Sequence, residues 1–140
     1  MTRILLAALA GTITYFLVGW LVFEGLLGQY MSANTMQIAG FKKSPEESSM
    51  ALLVVSCAAY ALLLALVMDK WANVHTFNEG AILGAVMGVL IAVMTDTYWF
   101  STSHFYNGAA PLLADVAAAG VTVGVMGGVI GWVLGKLASN

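Results

Sequence analysis

Four unbroken apolar runs, each of about twenty residues or more, decide what this chain can become. At 1.5 Å per residue, an apolar helix of that length crosses a hydrocarbon core about 30 Å thick. Barrel strands need only about ten residues and alternate apolar with polar, which these runs do not. Of the 140 residues, 61% are hydrophobic and 9% charged, against about 25% charge in an ordinary soluble domain. The expectation is therefore an all-α integral membrane protein, a bundle of four transmembrane helices forming a single domain over residues 1–140, with the lipid bilayer as its surroundings.

Local signals set the expected limits of the spans. The first runs over residues 4–28; Ala8-Leu9-Ala10 resembles a signal-peptidase site, but the apolar stretch before it is too short and the run continues past it, so an uncleaved span is expected. The second is expected over residues 45–71, with Ser44 as N-cap, Pro45 in the first turn and Glu47 completing a capping box. Thr76 and Glu79 repeat that spacing before a third span, 79–100, and Pro111 opens a fourth, 111–137. The segment from Gln29 to Lys43 interleaves Tyr30, Met31, Met36, Ile38 and Phe41 with small polar residues, which suits either a short interfacial helix or a plain loop. Spans one and three each carry a carboxylate near one end, Glu24 and Asp96, while spans two and four each follow a proline and end near a tryptophan. Two pseudo-symmetric helical hairpins would give that pattern.

An even number of spans puts both termini on one side. Arg3, Lys70 and Lys136 fall there, against Lys42 and Lys43 opposite, which by the positive-inside rule points to cytoplasmic N- and C-termini. The side opposite the termini is then the outer one.

Small residues mark where helices meet, because lipid provides no hydrophobic drive for association and close van der Waals contact must do so instead. Gly80, Gly84 and Gly88 form consecutive small-xxx-small steps, and Gly120, Gly124, Gly127, Gly131 and Gly135 share one face of span four. Asp115, Ala118, Ala119, Thr122 and Met126 fall on the opposite face. Ala81, Ala85, Gly88, Ala92 and Asp96 share a face of span three. Thr12, Tyr15 and Gly19 in span one, and Ser49, Ser56 and Tyr60 in span two, form similar stripes. These stripes serve either packing inside the bundle or an interface with a second copy or another membrane protein.

Carboxylates inside or at the edge of hydrocarbon need partners, water or a proton. Glu24, Asp96 and Asp115 are expected at a common outer depth, with His104 in the adjoining loop, and together they define a candidate outer polar pocket for a cation, a proton or the head of an amphiphile. The alternative is that they sit at the water boundary and accept hydrogen bonds; Asp115, in the first turns of span four, also suits the helix dipole. No metal site, catalytic residue or cofactor is expected. His-x-x-x-His spacing is missing, Ser101, Ser103 and His104 crowd together without a nucleophile elbow, and the lone Cys57 has no partner. A net charge of -2 with no basic run longer than Lys42-Lys43 argues against nucleic acid as a partner.

Gly19-Trp20-Leu21-Val22-Phe23-Glu24, then Gly40-Phe41 followed by Ser44-Pro45-Glu46-Glu47, and finally Ala117-Ala118-Ala119-Gly120 with Met126-Gly127-Gly128, resemble a family of small four-helix bacterial membrane proteins classified only as a domain of unknown function. The resemblance implies a bacterial inner membrane and four helices, and it carries no activity and no functional residues. The leading expectation is a non-enzymatic protein that acts through helix–helix association, as a homo-oligomer or as an accessory subunit of a membrane complex. Its rival is a small transporter or channel-like module that binds a cation, proton or small amphiphile at the outer acidic pocket.

Overall fold

A computed structural model describes residues 1–138 of the chain. It is all-helical, with four helices long and apolar enough to cross a membrane: α1 (Thr2–Leu26), α3 (Met50–Ala72), α4 (Phe77–Thr102) and α5 (Ala109–Ala138). A short fifth, α2 (Gly28–Asn34), follows α1 directly and accounts for the start of the first connection. The chain is a membrane protein built as a four-helix bundle.

Helix starts follow local chemistry. Thr76 caps α4, its hydroxyl accepting from Glu79 N at 3.3 Å and donating to Glu79 Oε2 at 2.9 Å. The Ser44–Glu47 box also forms, with Ser44 N donating to Glu47 Oε2 at 3.1 Å, but it closes an isolated turn. Helix α3 starts five residues later than Pro45 suggests, at Met50, with Ser49 as the cap accepting from Leu52 N at 3.3 Å. The last turns of α1 (Trp20–Leu26) and of α3 (Met68–Ala72) widen to π geometry. After the second of these, Asn73 takes a left-handed conformation, φ 51°, and turns the chain toward α4.

Helix α5 is the axis of the bundle. Over its apolar stretch α5 is 56% enclosed, against 28% or less for the other three. One side faces α4 at backbone contact: a Cβ on Gly80 would fall onto the Gly127 carbonyl, one on Gly84 onto the Val123 carbonyl, and one on Gly88 2.7 Å from the Ala119 carbonyl oxygen. From the α5 side, a Cβ on Gly127 would stand 2.9 Å from Gly84 Cα, and one on Gly131 3.2 Å from Gly80 Cα. Gly120 and Gly124 lie on the flank of this seam, where a Cβ would stand 2.8 Å from Val89 Cγ2 and 3.3 Å from Ala85 Cβ respectively. The other side of α5 contributes Met126, Ile130 and Leu134 to one core with Ile4, Ala7, Leu64 and Met68 of α1 and α3. Gly11 lets α1 approach, since a Cβ there would stand 2.6 Å from Ile130 Cδ1.

That core lies toward the end of the bundle that carries the termini. At the opposite end the first turns of α3, Ala51 to Ser56, are exposed all round. The two hairpins are thus unlike in packing: α4 and α5 lie together along their length, whereas α3 leaves the bundle at the end opposite the termini and a cleft opens nearby.

Candidate functional site

The α4–α5 seam keeps a fixed antiparallel register. Each four-residue step along α4 is matched by four residues back along α5, so that Gly80 meets Gly131, Gly84 meets Gly127 and Gly88 meets Val123. Two more steps bring Asp96 opposite Asp115, and the two side chains interact there as a pair. Asp96 is 6% exposed. The hydroxyl of Thr95 lies 3.5 Å from its Oδ1, while its Oδ2 is buried without a hydrogen-bond partner. Asp115 is half-buried and opens on the other side to the cleft.

The cleft holds about 710 Å³ and lies between the last turns of α1, α2, the segment that follows α2, and α5. Glu24, Gln29, Lys42 and Asp115 are polar points on a wall otherwise supplied largely by Phe23, Met31, Met36, Ile38, Phe41 and Phe105. Two backbone hydrogen bonds hold its rim together. Met36 N donates to Phe105 O at 2.7 Å and Asn107 N donates to Asn34 O at 2.9 Å, forming an isolated antiparallel bridge between Thr35 and Tyr106. The bridge fixes Tyr106, which is buried beside the two aspartates. Burial pushes the Tyr106 hydroxyl above its ordinary value near 10, and the negative charge on Asp115 and then on Asp96 pushes it the same way.

The four residues expected to make an outer pocket are therefore placed differently from one another. Glu24 lines the cleft with its side chain largely exposed, 3.8 Å from Lys42 Nζ. Asp115 lines it as well, and Asp96 stands behind Asp115. His104 is exposed and does not line the cleft, because the Thr35–Tyr106 bridge draws Phe105 and Tyr106 inward and leaves His104 on the water side. Ser101 and Ser103 donate to carbonyls of their own helix, Tyr98 O at 2.9 Å and Trp99 O at 2.7 Å, which leaves neither hydroxyl aligned with an imidazole. Among the described residues no three His, Cys, Asp or Glu side chains gather in a metal-binding group.

Polar residues continue into the bundle beneath the cleft. Tyr15 of α1 lies within electrostatic reach of Asp115 and of Cys57. Its ring meets that of Tyr60 edge to face, with centroids 5.5 Å apart. The Tyr60 hydroxyl is buried without a hydrogen-bond partner.

Sequence reasoning missed Asp69. It sits in the π turn of α3 at the end carrying the termini, its side chain 1% exposed, with Arg3 Nε 2.7 Å from Oδ1 and Lys70 Nζ 3.7 Å from Oδ2. The Arg3 contact brings opposite charges together without an aligned hydrogen bond. A carboxylate inside the last apolar turn of a span was the available signal. Its partner, at the far end of another helix, was not readable from spacing.

Comparison with protein-family models, with curated proteins and with solved structures finds no match to this chain.

Proposed function

We propose that this protein binds a small, singly charged cationic solute with an apolar portion, held in the cleft opposite the termini with Asp115 and Asp96 as its charged floor. The observation that carries this reading is Asp96: a carboxyl oxygen buried in a membrane helix without a hydrogen-bond partner, facing a second carboxyl that opens into a largely apolar cleft. Among the described residues the pair has no ion-pair partner; negative charge held on buried carboxyls in that state is costly, and an incoming cation would relieve the cost. Two converging carboxyls suit a singly charged head, and the Phe23, Met31 and Ile38 wall suits an attached apolar group.

Under this reading the protein is non-catalytic, a carrier or receptor in a bacterial inner membrane with its termini in the cytoplasm and the cleft facing outward. A second reading is association with another copy or another membrane protein. The deep glycine seam is occupied within the chain by α4 and α5, but a shallow apolar groove of about 430 Å³ beside it, lined by Ala81, Ala85, Gly120 and Gly124 among others, remains for such a contact.

The test is thermal stabilisation of the protein in lipid nanodiscs by a series of alkyltrimethylammonium ions. Binding at the cleft raises the melting temperature of the wild type and not of Asp115→Asn. Equal shifts in both proteins, or none in either, would reject the cleft as the site.

A further inference from the structure

Resting on the cleft reading above, we propose that a bound cation and a proton compete for the Asp96–Asp115 pair, so that one proton leaves the pair for each singly charged ligand that enters. The register of the glycine seam sets the two carboxyls face to face. Two carboxylates so placed, one of them buried, do not both stay ionised, and a shared proton is the common resolution.

Among the described residues, the one cation that lines the cleft beside the pair, Lys42, is directed to Glu24 and not to the aspartates. From α1 come Tyr15 and Glu24, and from the segment between α4 and α5 come Tyr106 and the exposed His104. From the segment after α2 comes Lys42, whose ammonium group is 3.8 Å from Glu24. Among the described residues neither Asp96 nor Asp115 has an ion-pair partner. The empty site therefore carries one proton and one negative charge across two carboxyls. The loaded site carries two carboxylates and one cation, so its net charge is the same in both states. The displaced proton goes to water in the cleft, which Asp115 borders directly. Exchange of this kind ties occupancy of the cleft to the proton concentration on that side of the membrane.

Titration calorimetry of the wild-type protein in nanodiscs with octyltrimethylammonium, whose own charge does not change with pH, tests this. Repeating it in two buffers of different ionisation enthalpy gives the number of protons released. The expected result is about one proton released per ligand bound, with affinity falling about tenfold for each unit of pH lowered below the titration of the pair. Asp96→Asn, which removes one of the two charges facing the ligand, then binds more weakly, releases no proton and shows no dependence of affinity on pH. Binding by the wild type without proton release would overturn the exchange and leave the cleft reading standing. No binding at all by the wild type would overturn both. The wild-type measurement decides the matter even where Asp96→Asn fails to fold.

Discussion

Asp96 of α4 stands opposite Asp115 of α5 because Gly84, three helical steps earlier, stands against Gly127. The same four-residue period that brings the two backbones into contact along the bundle delivers a pair of carboxyls at its end. Packing and polar chemistry therefore share one register, and a shift of α4 by a single step would part Asp96 from Asp115.

The seam can be tested by adding single methyl groups. On Gly127 a Cβ would fall onto the Gly80 carbonyl and 2.9 Å from Gly84 Cα, and neither is a side chain that can move aside. On Gly124 it would meet Ala85 Cβ at 3.3 Å, a contact that a small shift relieves. Gly127→Ala is expected to destabilise the bundle by about 1–3 kcal/mol, as overpacked interiors do, with Gly124→Ala well below that. Chemical denaturation in mixed micelles compares the two, and equal losses would show that the register is not held by this contact.

The spans were legible because uninterrupted apolar length is a property of each run alone, and the Thr76–Glu79 box was legible because both its partners lie within one turn. The Ser44–Glu47 box was equally legible as a motif, yet it closes an isolated turn ahead of the helix that Ser49 caps, and no local signal separates those outcomes. Asp96 and Asp115 were readable one by one as carboxylates near a common depth. Their pairing needed the register between two helices, which depends on which glycines meet. His104 shared that depth but is turned outward by a backbone bridge to Thr35, a contact between distant segments that composition does not encode.

At the end that carries the termini, Asp69 is held by Arg3. Removing the guanidinium in Arg3→Ala leaves a carboxylate with a 1% exposed side chain and Lys70 Nζ 3.7 Å away. An unsatisfied buried charge costs about 1–3 kcal/mol or more, and the partial exposure of Arg3 places the expected loss in the lower part of that range. Arg3→Met combined with Asp69→Leu is expected to recover much of the loss, because the buried carboxylate at that end is then gone. A double-mutant cycle on melting measures the coupling, and additive effects would mean that the pair is not formed.

The cleft rim depends on one donor that can be deleted cleanly. Met36 N gives a 2.7 Å hydrogen bond to Phe105 O, and Met36→Pro abolishes it. The bond is worth about 1 kcal/mol, and it lies far from the core formed by Ile4, Leu64, Met68 and Ile130, so global melting changes little. Hydrogen exchange at Asn107 N, which donates to Asn34 O across the same bridge, is expected to rise about fivefold, the factor that a loss of 1 kcal/mol in local stability allows. Unchanged exchange there would mean that the rim is held by side chains alone.

Tyr106 gives the alkaline counterpart. Its hydroxyl is held above its ordinary value near 10, first by burial and then by the negative charge on Asp115 and Asp96. A group whose folded-state value is raised favours the folded state while it keeps its proton. That contribution is complete below about pH 10, where the unfolded tyrosine is also protonated, and it is lost progressively as the pH rises through the folded value. The wild type is therefore expected to lose stability above pH 10 more steeply than Tyr106→Phe. Difference absorbance in the tyrosinate band, recorded between the two proteins, should show the missing tyrosine ionising late. If that tyrosine instead ionises at its ordinary value, its hydroxyl reaches open water and the bridge from Thr35 does not seal it against the aspartates.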